Sequence, residues 1–150
     1  MSDVKEVVAA WSNYLDTVPN WEVLIEGIEP KVVGCGLVYE LNNPIDRPDE
    51  SFAIADMRGL ALSEPHRHAN DETEIYFVLK GMGKIAVGDK VQDLHPGVTV
   101  ITPPETMHVT LPAKDLILAV VNTPPFEFEN YVVMPEDDPG VSEAIAKLRS

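Results

Sequence analysis

Apolar residues recur at three- and four-residue spacing only near the two ends of this chain; between them they come in short runs. In "SDVKEVVAAWSNYLDT", Val4, Val7, Val8, Trp11, Tyr14 and Leu15 fall on one helical face. The pattern predicts an amphipathic helix over about residues 3–17, capped by Ser2 or Asp3. After Pro19 the period changes: "WEVLIEGI", "KVVGCGLVYEL", "SFAIADM" and "LALSE" are short, rich in Val, Ile, Leu and aromatics, and bounded by turn formers. "EIYFVLKG", "GKIAVGD", "KVQDL", "GVTVITP", "MHVTL", "DLILAVVN" and "FEFENYVVM" continue the series. Glycine turns at 81–83 and 88–89 predict hairpin connections, and 42–50 reads as a polar surface loop. Pro139 and the Ala/Ile/Leu spacing after it predict a short terminal helix. With no internal repeat or linker, residues 1–150 read as one all-β domain with a helix at each end.

Composition narrows the function classes. The apolar fraction of 45% and mean hydropathy of -0.04 fit a globular chain with a real core. The net charge of -14 repels phosphate backbones and anionic headgroups, so neither nucleic acid nor a membrane surface is an expected partner. A small ligand is. The single cysteine, Cys35, forms no internal disulfide and fits a small buried residue in a reducing cytoplasm. The first residues have no basic stretch followed by a long apolar run, so no signal peptide is expected.

Candidate chemistry sits in "PHRHANDETEIYFVLKG", residues 65–81. His66 and His68 share one face of an extended strand, with Arg67 on the other. Alone, the pair reads first as a polar strand end. Its surroundings change that: Glu74 opens the next strand after a five-residue connection, "ANDET", that could form a hairpin. Glu74, Tyr76 and Val78 share one face of that strand and Ile75, Phe77 and Leu79 the other, both too apolar for solvent. A carboxylate there needs a cation or hydrogen-bond donors. His108 opens another apolar strand after a Pro-Pro turn, whereas His95 lies in a His-Pro-Gly turn and reads as exposed.

Together, "PHRHANDETEIYFVLKGMG" and "HPGVTVITPPETMHVTL" resemble the two motifs of the cupin superfamily, over about residues 50–123. Gly59, His66, His68, Glu74 and Gly81 fill the first motif, and Gly88, Pro103, Glu105 and His108 the second. There are departures. The gaps before His66 and before Glu74 are each about one residue longer than the commonest family spacing, Glu105 replaces a turn glycine, and the asparagine often found after the second-motif histidine is missing. Glu72 stands at a shorter spacing that the family also uses, so either carboxylate could complete the set.

The resemblance implies a double-stranded β-helix, or jelly-roll, barrel with one metal held by His66, His68, Glu74 and His108. Three imidazoles and a carboxylate suit a divalent Fe, Mn, Ni, Zn or Cu ion and not an all-oxygen calcium cage. Tyr76, on the Glu74 face, is a candidate acid/base residue, or else a packed core tyrosine. Arg58 is a weaker anion partner, more simply a surface arginine. The expected function is a metal-dependent enzyme (isomerase, lyase or dioxygenase) on a small oxygen-rich substrate such as a sugar, sugar acid or organic acid. A non-enzymatic, metal-assisted carbohydrate-binding protein is the alternative. The resemblance also implies a homodimer.

Overall fold

The computed structural model describes residues 3–18, 20–42 and 48–150. Ser2, Pro19 and most of the loop expected at 42–50 lie outside the described residues. The first helix, α1 (Val4–Asp16), starts where the Asp3 side chain accepts a hydrogen bond from the Lys5 amide at 2.8 Å. Nine strands follow: β1 (Lys31–Val33), β2 (Gly36–Asn42), β3 (Ser51–Asp56), β4 (His66–His68), β5 (Thr73–Val87), β6 (Lys90–Leu94), β7 (Thr99–Thr102), β8 (His108–Thr123) and β9 (Tyr131–Val133). Helix α2 (Pro139–Arg149) ends the chain with proline in its first turn, and the Asp138 side chain accepts from the Gly140 and Val141 amides.

Every strand pairing is antiparallel, and the sheet runs β1-β2-β3-β8-β4-β9, with β5 bonded to β6, β7 and β8. Its spine is the long β5/β8 ribbon, paired from Thr73↔Thr123 to Val87↔His108. Drawn straight, that ribbon would separate Glu74 from His108 by about 40 Å. Their side chains are 3.0 Å apart, so the ribbon curls until its ends meet.

The elbow is visible in the register, which shifts between Val78 and Gly83. Gly81 sits there at φ 84, and a Cβ on it would lie 2.2 Å from the Asp115 carbonyl oxygen; Asp115 itself has φ 47. Glycine is required there both for its dihedral and for the close approach.

The curl creates an inside and two outsides. Tyr76, Val78, Ile85, Leu116 and Leu118 pack in the interior. Ile75, Phe77, Ile117 and Phe52 face outward and are covered by Val7 and Trp11 of α1. At the other end Ala86 and Val109 are covered by Val141, Ile145 and Leu148 of α2. This is the expected all-β barrel with a helix at each end, and it explains why both faces of β5 are apolar.

Four local expectations are corrected. "WEVLIEGI" is not a strand: Trp21–Ile25 is a 3-10 helix, with the Asn20 side chain accepting from the Glu22 amide. "LALSE" forms no strand, because only isolated bonds hold it, Ser63 N–H to the Thr110 carbonyl and Glu64 N–H to that of Gly34. Residues 81–83 are an elbow inside one strand, whereas 88–89 are a hairpin turn as expected. Finally, β4 pairs with β8 and β9, never with β5, so "ANDET" crosses between strands and closes no hairpin.

Candidate metal centre

The backbone brings the four expected residues together. His66 lies in register with His108, His68 with Tyr131 of β9, and Glu74 enters from the start of β5. His66, His68, Glu74 and His108 are 1–6% exposed, and each offers one ligand atom, all within 4.8 Å of one another. Bonds of about 2.0–2.2 Å place ligand atoms on a shared ion at most about 4.4 Å apart. The set therefore needs only slight contraction to close on one ion.

Donor chemistry gives a stricter test of fit. His66 Nδ1 lies 2.9 Å from the Glu64 carbonyl, and His108 Nδ1 lies 3.2 Å from that of Thr106. A carbonyl only accepts, so each Nδ1 carries its proton and each neutral ring turns a lone pair on Nε2 inward. His108 Nε2 then faces Glu74 Oε1 at 3.0 Å. Two lone pairs at that distance require a cation between them, a proton or a metal. His68 adds to the case: its Nδ1 is 2.9 Å from Glu72 Oε1 and its Nε2 3.2 Å from Glu74 Oε2, yet both nitrogens are out of hydrogen-bonding direction and lack a donor–acceptor partner. The residues fit a divalent transition metal.

Glu72 and Glu74 divide their tasks. Glu74 is in the four-residue cluster and Glu72, fully buried, stands behind His68 on its Nδ1 side. The Asn122 amide spans the two carboxylates, donating to Glu72 Oε1 at 2.8 Å and Glu74 Oε2 at 3.0 Å. Asn130 donates to Glu72 Oε2 at 3.3 Å. The Tyr76 hydroxyl donates to Glu74 Oε1.

These contacts set the electrostatics. Burial alone would raise the Glu74 carboxyl, but His68 and His108 outweigh it and hold it well below its ordinary range. Burial and then Glu74 push Tyr76 well above the phenol range. Cys35, expected as a small core residue, is partly buried beside the site; burial and then Glu74 push its thiol up to about 12.

Arg58 is a surface residue paired with Asp56, 2.7 Å away, and His95 is exposed. Gly88 serves the β5–β6 turn, while Gly97, at φ 91, turns the chain into β7 ahead of Pro103. Glu105 holds φ 62 where a glycine was expected; its carboxylate takes Arg67 and the Asn70 amide, and its own N–H donates to the His68 carbonyl. The residues missed in sequence are Asn122, Asn130, Glu64 and Tyr131. Asn122 left one sign, a lone amide closing the apolar run "LILAVVN".

A larger cavity, about 830 Å³, lies between α1 and Phe52 on the outer face and touches none of the four residues. The chemistry is not there.

Residues 56–115 match the family described as "Cupin domain". The chain is a cupin. Solved structures agree on the fold. KdgF from Halomonas sp. aligns at TM-score 0.53 and 20% identity over 59% of this chain and 79% of that one. The polyketide cyclase RemF from Streptomyces resistomycificus aligns at 0.62 and 17%, over 80% and 94%. Pac13 from Streptomyces, described as a nucleoside dehydratase, aligns at 0.61 and 11%, over 76% and 92%. At such identities this cupin shares their architecture, and its chemistry rests on its own residues. No curated protein matches the chain.

Proposed function

We propose that this cupin is a metal-dependent enzyme acting on a small oxygen-rich substrate, with His66, His68, Glu74 and His108 as the ligands of one divalent Fe, Mn, Ni, Zn or Cu ion. The supporting observation is the convergence of four buried side chains whose inward lone pairs demand a cation. Such an ion supplies Lewis acidity toward a substrate carbonyl or hydroxyl.

The remaining roles belong to the chain. Glu72 and Asn122 hold His68 and Glu74 in place. Tyr76 keeps its proton at neutral pH and presents it beside the cluster, which makes it the candidate general acid and, once deprotonated, base. The surrounding aliphatic core excludes water. Among the three reaction types considered, these residues favour proton transfer, as in an isomerase or lyase.

The proposal includes a cytoplasmic homodimer. Its support is the lone thiol and the edge strand β1, where Val32 is 83% exposed and β1 bonds only to β2 among the described residues.

Elemental analysis of natively purified protein tests the reading, with about one transition metal per chain expected. Protein that neither retains nor takes up such an ion overturns it. Substrate recovered unchanged from metal-loaded protein would leave a binding protein in place of an enzyme.

A further inference from the structure

Two features of the site bear on what it accepts, resting on the metal reading above. The first is charge. Glu72 and Glu74 are both buried at the cluster, and three neutral imidazoles add no charge, so one divalent cation balances the pair. No lysine or arginine stands among the leading influences on Glu74, Tyr76 or Tyr131. Arg67, on the strand between the two histidines, is committed to Glu105, and Arg58 to Asp56. An anionic substrate would bring surplus negative charge into a buried site with no free basic side chain to meet it.

The second is a run of aromatic rings from solvent to the histidines. Phe128 is 74% exposed and stacks on Tyr131, with centroids 6.0 Å apart and planes 14° from parallel. Tyr131 stacks in turn on His66 at 4.3 Å and 25°. Phe126 meets His68 edge-on at 5.9 Å. The segment is anchored: Asn130 accepts from the Ala69 amide at 2.7 Å, the Phe126 amide donates to Ser51 Oγ at 2.8 Å, and the Tyr131 hydroxyl to Glu64 at 2.9 Å. A single exposed apolar side chain is ordinary. This one is held in a stack continuous with a buried polar centre, and its free face is what a ligand ring would cover.

We propose that the site takes an uncharged, hydroxyl-bearing substrate with a flat ring face, and that Phe128 seats that face and so determines specificity. Within the substrate classes considered, this favours neutral sugars and glycosides over sugar acids and organic acids.

The test uses two probes that differ only in a carboxylate, phenyl β-D-glucoside and phenyl β-D-glucuronide, titrated calorimetrically into zinc-loaded protein. The glucoside is expected to bind, and the glucuronide to bind at least about tenfold more weakly. Phe128→Ala should weaken the glucoside about two- to tenfold, Phe128→Tyr should restore it, and neither should change zinc affinity or melting temperature. Equal or tighter binding of the glucuronide, an unaffected Phe128→Ala variant, or no glucoside binding at millimolar concentration overturns the proposal. Zinc affinity, measured separately with a competing chelating dye, keeps the two readings apart. Failure to bind zinc overturns the metal reading, whereas normal zinc binding with contrary probe results overturns only this one.

Discussion

His66 and His108 stand directly opposite each other across β4 and β8, their ring centroids 4.1 Å apart. Backbone pairing therefore fixes half of the cluster before any ion arrives. A preformed pair of this kind lowers the ordering cost of binding.

Removing either histidine should abolish stoichiometric metal binding and leave the fold intact, because β4 and β8 also pair through other residues. In wild-type protein, zinc at about 100 times its dissociation constant should stabilise the fold by about 2.7 kcal/mol. Melting curves with zinc and with a chelator measure the difference. His66→Ala and His108→Ala should each lose it.

The two carboxylates should separate by degree. Glu74→Gln removes a ligand oxygen and should eliminate tight binding. Glu72→Gln leaves the four-residue set intact and loosens only the support of His68, for a loss of about ten- to a hundredfold in metal affinity. Competition titration with a chelating dye distinguishes the two. Equal losses would mean that Glu72 is itself a ligand.

The metal-free protein should be most stable near pH 6.5. His66 is held down to about 3, by burial first and by His108 next. Its folded value lies below the unfolded one, so as pH falls from about 6.5 the unfolded chain takes the proton first and stability declines. For His68 the sign reverses: burial opposes the charge, but Glu74 and Glu72 together raise it to about 10. Its contribution is complete below about 6.5 and is lost as pH rises through about 10. Metal on His68 Nε2 displaces that proton, so the alkaline decline should flatten in zinc-loaded protein. Urea midpoints at about pH 5, 6.5 and 8.5 check both limbs.

Gly81→Ala should cost about 3 kcal/mol or more, since its Cβ would meet the Asp115 carbonyl oxygen at 2.2 Å and its φ is 84. Gly97→Ala is the control. Its φ of 91 is also left-handed, but nothing lies within 4 Å of its Cβ, so about 1–2 kcal/mol of backbone strain is all that is expected. Denaturant midpoints compare them.

The site's residues were legible because ligation needs particular side-chain types, and alternation along a strand places His66 and His68 on one side without further information. The same alternation assigned Glu74 and Tyr76 to the interior and Ile75 and Phe77 to the exterior, as the packing bears out. Choosing between Glu72 and Glu74 needed the path of the chain after His68, which spacing does not encode. Trp21–Ile25 misled because its apolar run is short and a capping asparagine, a tertiary neighbourhood and a 3-10 turn decide its form. Gly81 read as a hairpin because glycine marks both a turn and a bend, and only the partner strand tells them apart. Asn122 and Asn130 escaped notice since an amide gains its role from the acids it meets.

The curled ribbon has a mechanical consequence. Glu74 and His108 are the loose ends of one bent spring, and an ion gripping both would act as its buckle. Strain at the Gly81–Asp115 elbow and occupancy of the cluster then become a single coupled variable. Amides near the elbow, far along the chain from any ligand, should exchange their hydrogens more slowly once the buckle is closed.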